Sequence, residues 1–254
     1  MQGPAEKPVR GLAHLKVVVR HLLDVWPALL QRRRYMQALN ESEALRSALE
    51  KTYAAHVHNA IQGVLVFDLI REVGTLILDD NRRSASVARA VSSLRNPSVV
   101  EELRADYAAF TGILGASDEV ARQVHKMVLQ QNLAQLDSLP DFLKKVEERL
   151  ISGTVAELIR LLRNKAVAHH DVAHDGTDWR MWRIEGTGLT YGQLDEYINA
   201  GTHAVDRLVH LVLRTAYAFD DLPAMSQRYV DEYIEALVLG LTLQRERRQQ
   251  KRPR

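Results

Sequence analysis

Apolar residues recur at helical spacing along most of the chain, and this periodicity restricts the fold more than any other feature of the sequence. It is regular over residues 12–33, where Pro27 should kink or restart the helix. A second long helix should run from a capping box at Asn40 and Glu43 towards Leu78. A β-sandwich or barrel needs many turns and β-forming side chains, whereas aromatic residues make up only 6% of the chain. The sequence therefore predicts an all-α fold, a bundle of long antiparallel helices.

Turn-forming residues divide the rest of the chain into shorter helices. Gly153 is a weak point at which one helix should split, and Thr190 with Gln193 has the spacing of a capping box. Gly63 and Gly74 would let another helix approach closely. The predicted helices cover residues 84–95, 98–114, 117–136, 141–170 and 190–219, and the last runs from residue 223 into the C-terminus.

One segment departs from the helical pattern. The turn formers Asp175-Gly176 and the Gly-rich residues 185–188 bracket Trp179 to Ile184, a stretch of β-forming character. The sequence therefore predicts one small β-hairpin near residues 178–190.

Length and composition favour one large domain with appendages. The 254 residues are 46% hydrophobic, which is enough for a substantial core and too apolar for a disordered chain. We divide the chain into an N-terminal helical extension (1–39), a helical domain (40–243) and a basic tail (244–254). The tail holds six basic residues and one acid, so the net charge of +2 conceals a slightly acidic body.

Several classes of protein are excluded by what the sequence lacks. It has no cysteine, which removes disulfide scaffolds, thiolate zinc sites, iron–sulfur clusters and cysteine nucleophiles. No apolar run is long enough to span a membrane, and the first residues do not read as an export signal. We therefore expect a cytoplasmic protein without membrane association.

The densest polar cluster, residues 163–175, follows a strongly apolar helical segment and allows three interpretations. Its side chains could simply satisfy the last carbonyls of a helix. His170 with His174, and Asp171 with Asp175, have the i, i+4 spacing of metal ligands. An arginine fork with a histidine that titrates near neutrality also suits a phosphodiester.

Two stretches of the chain resemble one known family. Arg163 and His169, with five residues between them, fit the Arg-x(4–6)-His signature of the HEPN superfamily. The pattern Arg-Asn-Lys-x-x-Ala-His-x-Asp over residues 163–171 resembles the abortive-infection (AbiU-type) branch. Residues 76–87, with an acidic break and a Ser-rich restart after a long helix, resemble the same branch. The similarity covers about residues 40 to 220.

This resemblance implies a HEPN-like helical bundle that forms a homodimer, with the Arg and His of both subunits facing one cleft. It implies a metal-independent endoribonuclease without cofactors, in which the RNA 2′-OH attacks the adjacent phosphate to give a 2′,3′-cyclic phosphate. His169 would be the general acid/base, Arg163 would hold the phosphate and Asn164 would orient it. His170 is the alternative histidine, because on a regular helix it aligns better with Arg163.

The implied biological role is that of a toxin or phage-defence effector, with an antitoxin protein as a further partner. A non-catalytic HEPN-like module that binds a nucleotide or a partner protein is the alternative. Additional RNA contacts could come from cations and aromatic side chains near the motif. These are Arg160, Lys165, Trp179, Arg180, Trp182 and Arg183. Trp179 and Trp182 would face opposite sides of a regular strand, and packing of the hairpin is the competing role for both.

Overall fold

The computed structural model describes residues 11–50, 52–109, 118–167, 172–174, 179–181 and 188–250. These residues are predominantly helical, which confirms the all-α prediction. Within them, no helix is both long and apolar enough to cross a membrane. The α-helices are α1 (Leu12–Glu41), α2 (Glu43–Leu49), α3 (Ala54–Leu78), α4 (Val87–Leu94), α5 (Pro97–Ala108), α6 (Asp118–Asp137), α7 (Leu139–Val146), α8 (Thr154–Val167), α9 (Tyr191–Leu213) and α10 (Leu222–Gln250).

The first helix is longer than its periodicity predicted, and the cap expected at Asn40 is wrong. Helix α1 continues through Pro27 to Glu41, so Asn40 lies inside it. Ser42 caps α2 instead, because its Oγ accepts a hydrogen bond from the backbone N–H of Leu45 at 3.2 Å. The single helix predicted from Asn40 to Leu78 is therefore two helices, α2 and α3.

Later helix boundaries follow local side-chain chemistry more closely. Thr190 and Gln193 form the predicted reciprocal capping box at the start of α9. Ser86 caps α4 by accepting from the Arg89 N–H at 3.1 Å. The helix predicted over residues 141–170 splits near Gly153 as expected, since a π-helical turn (Glu147–Ile151) follows α7 and α8 begins at Thr154. Short polar side chains thus set most of these boundaries.

The strands lie earlier in the chain than predicted. Strand β1 (Val172–His174) pairs antiparallel with β2 (Trp179–Met181), with Ala173 opposite Arg180. A hairpin spanning residues 178–190 is therefore not supported. Trp179–Met181, which was expected to begin the hairpin, instead pairs with the preceding segment Val172–His174, on the N-terminal side of the Asp175-Gly176 turn signal. Residues 182–184, the second half of the predicted arm Trp179 to Ile184, lie outside the described part of the chain.

The chain forms two compact units. One comprises Met1–Asp24 and Gly74–Tyr217, and the other comprises Val25–Val73 and Ala218–Arg254. In the first unit, α9 contributes a long buried face and contacts α4, α6, α8 and the π-helical turn. In the second, α10 packs against α2, and Trp26 is fully buried. The proposed division into 1–39, 40–243 and 244–254 stays a prediction, because compactness alone does not test which segments fold independently.

Candidate functional site

Helix α8 positions the arginine of the motif. Ile159 and Leu162 on its apolar face are fully buried, and α8 contacts both α9 and the π-helical turn. This packing fixes the helix axis and leaves Arg163, one residue after Leu162, half-buried at its edge. The apolar face of α8 thus determines where the Arg163 guanidinium lies.

Gly74 allows α8 to approach the end of α3. A Cβ built on Gly74 would lie 3.1 Å from Ile159 Cγ2 and 3.2 Å from Arg163 Cδ, closer than ordinary van der Waals contact. The absence of a side chain at Gly74 therefore makes room for the stem of Arg163. This agrees with the sequence expectation for Gly74, whereas a Cβ on Gly63 would meet no atom within 4 Å.

The Arg163 guanidinium binds a backbone carbonyl near the C-terminus of α3. Its Nη1 donates to Gly74 O at 3.2 Å, four residues before α3 ends at Leu78. Carbonyls at a helix C-terminus carry partial negative charge and attract cations. Within the described residues this neutral carbonyl is the hydrogen-bond partner of Arg163, so no carboxylate there cancels its positive charge.

The turn after α3 is tied together by short polar side chains. Ser84 Oγ donates to Asp79 O at 2.9 Å, Ser86 Oγ donates to the same carbonyl, and Asn81 N–H donates to Asp79 Oδ1 at 3.1 Å. The acidic break and Ser-rich restart seen in the sequence are therefore one hydrogen-bonded turn. The turn directly follows the end of α3, whose Gly74 carbonyl accepts from Arg163, so the arginine of the motif lies beside the helix that leads into the second stretch.

The neighbours of Arg163 on α8 differ in their surroundings. Asn164 is exposed to solvent. Arg160 is half-buried, and its Nη2 donates to the backbone carbonyl of Ile151 at 2.7 Å. Ile151 is the last residue of the π-helical turn. A bond to a main-chain carbonyl gives Arg160 a structural task in addition to its predicted contact with RNA. Lys165 lies in the last turn of α8, which ends at Val167.

A tyrosine and a glutamate that sequence reasoning did not single out stabilise the same π-helical turn. Tyr197 is buried and its hydroxyl donates to Leu150 O at 2.5 Å; burial raises the pKa of this hydroxyl well above its usual range. Glu147 accepts from Ser152 Oγ at 2.6 Å and from Arg95 Nη2 at 2.8 Å, and these hydrogen bonds lower the pKa of its carboxyl. Neither residue lies in a recognisable motif, since its partners are set by tertiary contacts.

The remaining predicted site residues are only partly placed. His169 and His170 lie outside the described residues, as do Trp182 and Arg183. Trp179 and Arg180 lie in β2, where Trp179 pairs with His174 in the register. The residues of the metal alternative, near 170–175, carry no described side chains, so that alternative is not tested.

An all-α chain in which an apolar helix carries the arginine of an Arg-x5-His sequence signature has the characters of a HEPN protein. A family model for AbiU2, the HEPN_AbiU2 family, matches residues 15–233. The chain therefore belongs to the AbiU2 family of abortive-infection HEPN proteins. The match begins well before residue 40, so the family region includes most of α1, which the sequence resemblance had left outside. No curated protein and no solved structure matches the chain.

Proposed function

We propose that this protein is a metal-independent endoribonuclease that acts as a toxin or phage-defence effector. The 2′-OH of the RNA attacks the adjacent phosphorus, and the bond from phosphorus to the 5′-oxygen of the next nucleotide breaks. The products are a 2′,3′-cyclic phosphate and a free 5′-OH. His169, as general acid/base, takes the proton from the 2′-OH and supplies one to the departing 5′-oxygen, and Arg163 stabilises the charge that develops on the phosphate.

The placement of Arg163 is the observation that carries this proposal. A guanidinium presents several N–H donors in a planar fork, which suits two oxygens of one phosphate. Its hydrogen bond to Gly74 O occupies one donor and fixes the direction of the fork without neutralising it. Asn164, the residue after Arg163, is exposed, so its side-chain amide is accessible to the same phosphate and supports a role in phosphate binding.

Both His169 and His170 follow closely on the end of α8, and either could serve as the acid/base. Helical backbone extends to Val167, two residues before His169 and three before His170. A regular continuation would place His170 nearly in line with Arg163 and His169 about 120° away from it, by the turn of about 100° per residue. His169 remains the proposed acid/base because it fits the Ala-His-x-Asp pattern of the branch, and His170 is the variant that tests this choice.

A homodimer is part of the proposal, because HEPN sites combine the Arg and His of two subunits in one cleft. Helix α3 exposes three aliphatic side chains at helical spacing: Val57 is 62% exposed, Ile61 49% and Val64 68%. Contiguous apolar surface of this kind commonly marks a protein contact. This face supports pairing with a second copy of the chain. An antitoxin protein that covers the site is proposed as a further partner.

The test is RNA cleavage by the purified full chain in excess EDTA, with analysis of the product ends. Cyclic-phosphate and 5′-OH ends are expected, and Arg163→Ala and His169→Ala should each lower the rate by about a hundredfold or more, the usual size of an acid–base or charge-stabilising contribution. Arg122→Ala is the matched control, since Arg122 is 75% exposed and forms an ion pair with Glu119, three residues earlier on α6. It should cleave at the wild-type rate.

Three results would count against the proposal or revise it. Loss of cleavage in EDTA would refute the metal-independent mechanism. Activity that survives His169→Ala and disappears in His170→Ala would move the acid/base role to His170. No cleavage of any RNA by a folded dimer would favour the non-catalytic alternative, a HEPN-like module that binds a nucleotide or a partner.

A further inference from the structure

Four basic side chains line one cleft of the first unit. The cleft has a volume of about 340 Å³ and lies between α9 and the segment formed by α7 and the π-helical turn. None of its lining residues belongs to the motif at 163–171. The cleft is therefore separate from the proposed catalytic residues. Its basic side chains are Lys145, Arg149, His203 and Arg207.

The first wall carries two cations about one helical turn apart. Lys145 and Arg149 are both exposed, and within the described part of the chain neither forms an ion pair with a carboxylate. Their neighbour Lys144, which does not line the cleft, has its Nζ 3.9 Å from Glu148 Oε1. Asp141, one turn before Lys145, is the acidic residue of the lining, so the positive stretch of this wall begins at Lys145. Two cations on one ridge produce a local positive potential.

The opposite wall holds a third cation in a fixed orientation. Arg207 of α9 donates from Nη2 to Ser138 Oγ at 2.5 Å, and its guanidinium carbon lies 5.3 Å from the centroid of the Phe142 ring. Both contacts are with neutral groups, so they orient the guanidinium and do not neutralise its charge. His203, one turn earlier on α9, also lines the cleft and adds positive charge when protonated.

The floor between the two walls is closed. Val146, Leu150 and Ala204 line the cleft and are at most 4% exposed, so no ring of a ligand can insert between them. A ligand therefore contacts the basic side chains along the two rims. Cations at successive points on both sides of a trough suit a chain of anionic groups, because each point can neutralise one of them.

We propose that this cleft binds the sugar-phosphate backbone of single-stranded RNA, with successive phosphates along Lys145 and Arg149 and with Arg207 on the opposite side. Guanidinium and ammonium groups make charge-assisted hydrogen bonds with phosphate oxygens. Positively charged grooves hold single strands in this way without reading the bases. The inference rests on the proposed function, because cleavage of RNA is what makes RNA, rather than another polyanion, the ligand.

The cleft lies beside the start of α8, whereas Arg163 lies towards the end of that helix. Arg149 and Leu150 belong to the π-helical turn that precedes α8. Thr154, the first residue of α8, and Arg163 are about 14 Å apart along the helix axis, at about 1.5 Å per residue. RNA in the cleft is therefore held away from the phosphate that Arg163 contacts. The cleft contributes to the affinity for a long strand and takes no part in the chemical step.

The first experiment measures binding without cleavage. A single-stranded 2′-O-methyl oligonucleotide of about 15 nucleotides has no free 2′-OH and so cannot be cut. In fluorescence anisotropy with the full chain at low salt, Lys145→Gln/Arg149→Gln should bind it at least about tenfold more weakly than wild type. The slope of log Kd against log salt should fall by about 1.4, since each phosphate contact in a single strand contributes about 0.7. The melting temperature should not change, because both side chains are exposed.

The double variant Arg122→Gln/Lys126→Gln is the matched control. Arg122 and Lys126 are exposed cations four residues apart on α6, and neither lines the cleft. This variant loses the same net charge at the same spacing as the cleft variant, so an effect of net charge alone appears in both. It should bind the oligonucleotide with the affinity of wild type.

The second experiment separates the cleft from the proposed catalytic residues. In cleavage of unmodified RNA of the same length, Lys145→Gln/Arg149→Gln should mainly raise KM, whereas Arg163→Ala should lower kcat. If the wild-type chain cleaves no RNA, the proposed function fails, and binding of the uncleavable oligonucleotide still decides whether the cleft holds RNA.

Three results would overturn the inference. An unchanged affinity and salt dependence in the cleft variant, or an equal loss in Arg122→Gln/Lys126→Gln, would show that the strand does not lie in this cleft. Poly-glutamate that displaces the oligonucleotide as effectively as unlabelled RNA does would assign the cleft to an acidic protein segment instead. A fall in kcat with unchanged KM in the cleft variant would contradict a role in holding the strand.

Discussion

At the scale of single residues, a glycine that lies far away in the chain determines where the arginine of the candidate site is placed. Gly74 admits the stem of Arg163, and its carbonyl accepts from the Arg163 guanidinium. Arg160, one turn earlier on the same helix, binds a carbonyl of the π-helical turn instead. Two arginines of similar appearance in the sequence thus have different surroundings.

Substitution of the two glycines of α3 should have opposite effects. Gly63→Ala should raise the free energy of unfolding by about 0.5–1 kcal/mol, because alanine favours the helix and nothing lies within 4 Å of the new Cβ. Gly74→Ala should lower it by about 1–3 kcal/mol, since Ile159 is fully buried and has no room to retreat. Urea unfolding of both variants measures the difference. Equal stabilisation by the two substitutions would contradict the close approach at Gly74.

At the scale of elements, local polar chemistry sets the boundaries of helices, and partners from elsewhere set their positions. Ser86 and Thr190 cap α4 and α9 from within the local sequence. The π-helical turn depends instead on Arg95 at Glu147 and on Tyr197 at Leu150, both distant along the chain. The turn connects α7 with α8, which carries Arg163, so its stability should affect the position of Arg163.

The stability provided by Glu147 should depend on pH. Hydrogen bonds, first from Ser152 and then from Arg95, lower the pKa of the Glu147 carboxyl below its ordinary value of 4.5. A group with a lowered pKa stabilises the folded state above its ordinary pKa, and this contribution is lost as the pH falls through the folded-state pKa. Glu147→Gln should therefore have a lower melting temperature than wild type at pH 7, and this difference in melting temperature should become smaller below about pH 4.5.

Melting curves from pH 7 down to about pH 3 test this dependence. Glu148→Gln is the matched control, because Glu148 is 62% exposed and its oxygen lies 3.9 Å from Lys144 Nζ, an exposed pair that contributes little. It should follow wild type at every pH. If the difference in melting temperature between Glu147→Gln and wild type stays constant across this pH range, the pKa of the Glu147 carboxyl is not lowered by folding.

At the scale of the whole molecule, the proposed homodimer depends on one exposed apolar face. The family match extends over residues 15–233, and α3 within it exposes Val57, Ile61 and Val64. The two compact units of the chain are each made of segments that are far apart in sequence. Contacts between distant segments therefore decide the tertiary organisation, which sequence order alone does not reveal.

The proposed dimer should dissociate when charge is placed on this face. Val57→Asp/Val64→Asp should shift the protein to a monomer in light scattering coupled to size-exclusion chromatography, because burying two carboxylates in an apolar contact is unfavourable. Asn59→Asp, an added charge at an exposed polar position of the same helix, should leave the oligomeric state unchanged. A wild-type monomer at micromolar concentration, or a dimer in the double variant, would contradict pairing through this face.

The sequence by itself determined the helical class, the capping box of α9 and the family, because periodicity, short polar side chains and the motif at 163–171 act over one or two turns of chain. The sequence prediction put the strand pair later in the chain than it lies, and it began a helix at Asn40 where Ser42 is the cap. In both places neighbouring residues offer competing cap or turn signals. Only the tertiary structure decided that Arg163 lies against Gly74, that Arg160 binds Ile151, and that Lys145 and Arg207 share a cleft. Such contacts join residues distant in sequence, and no local pattern encodes which partners packing will bring together.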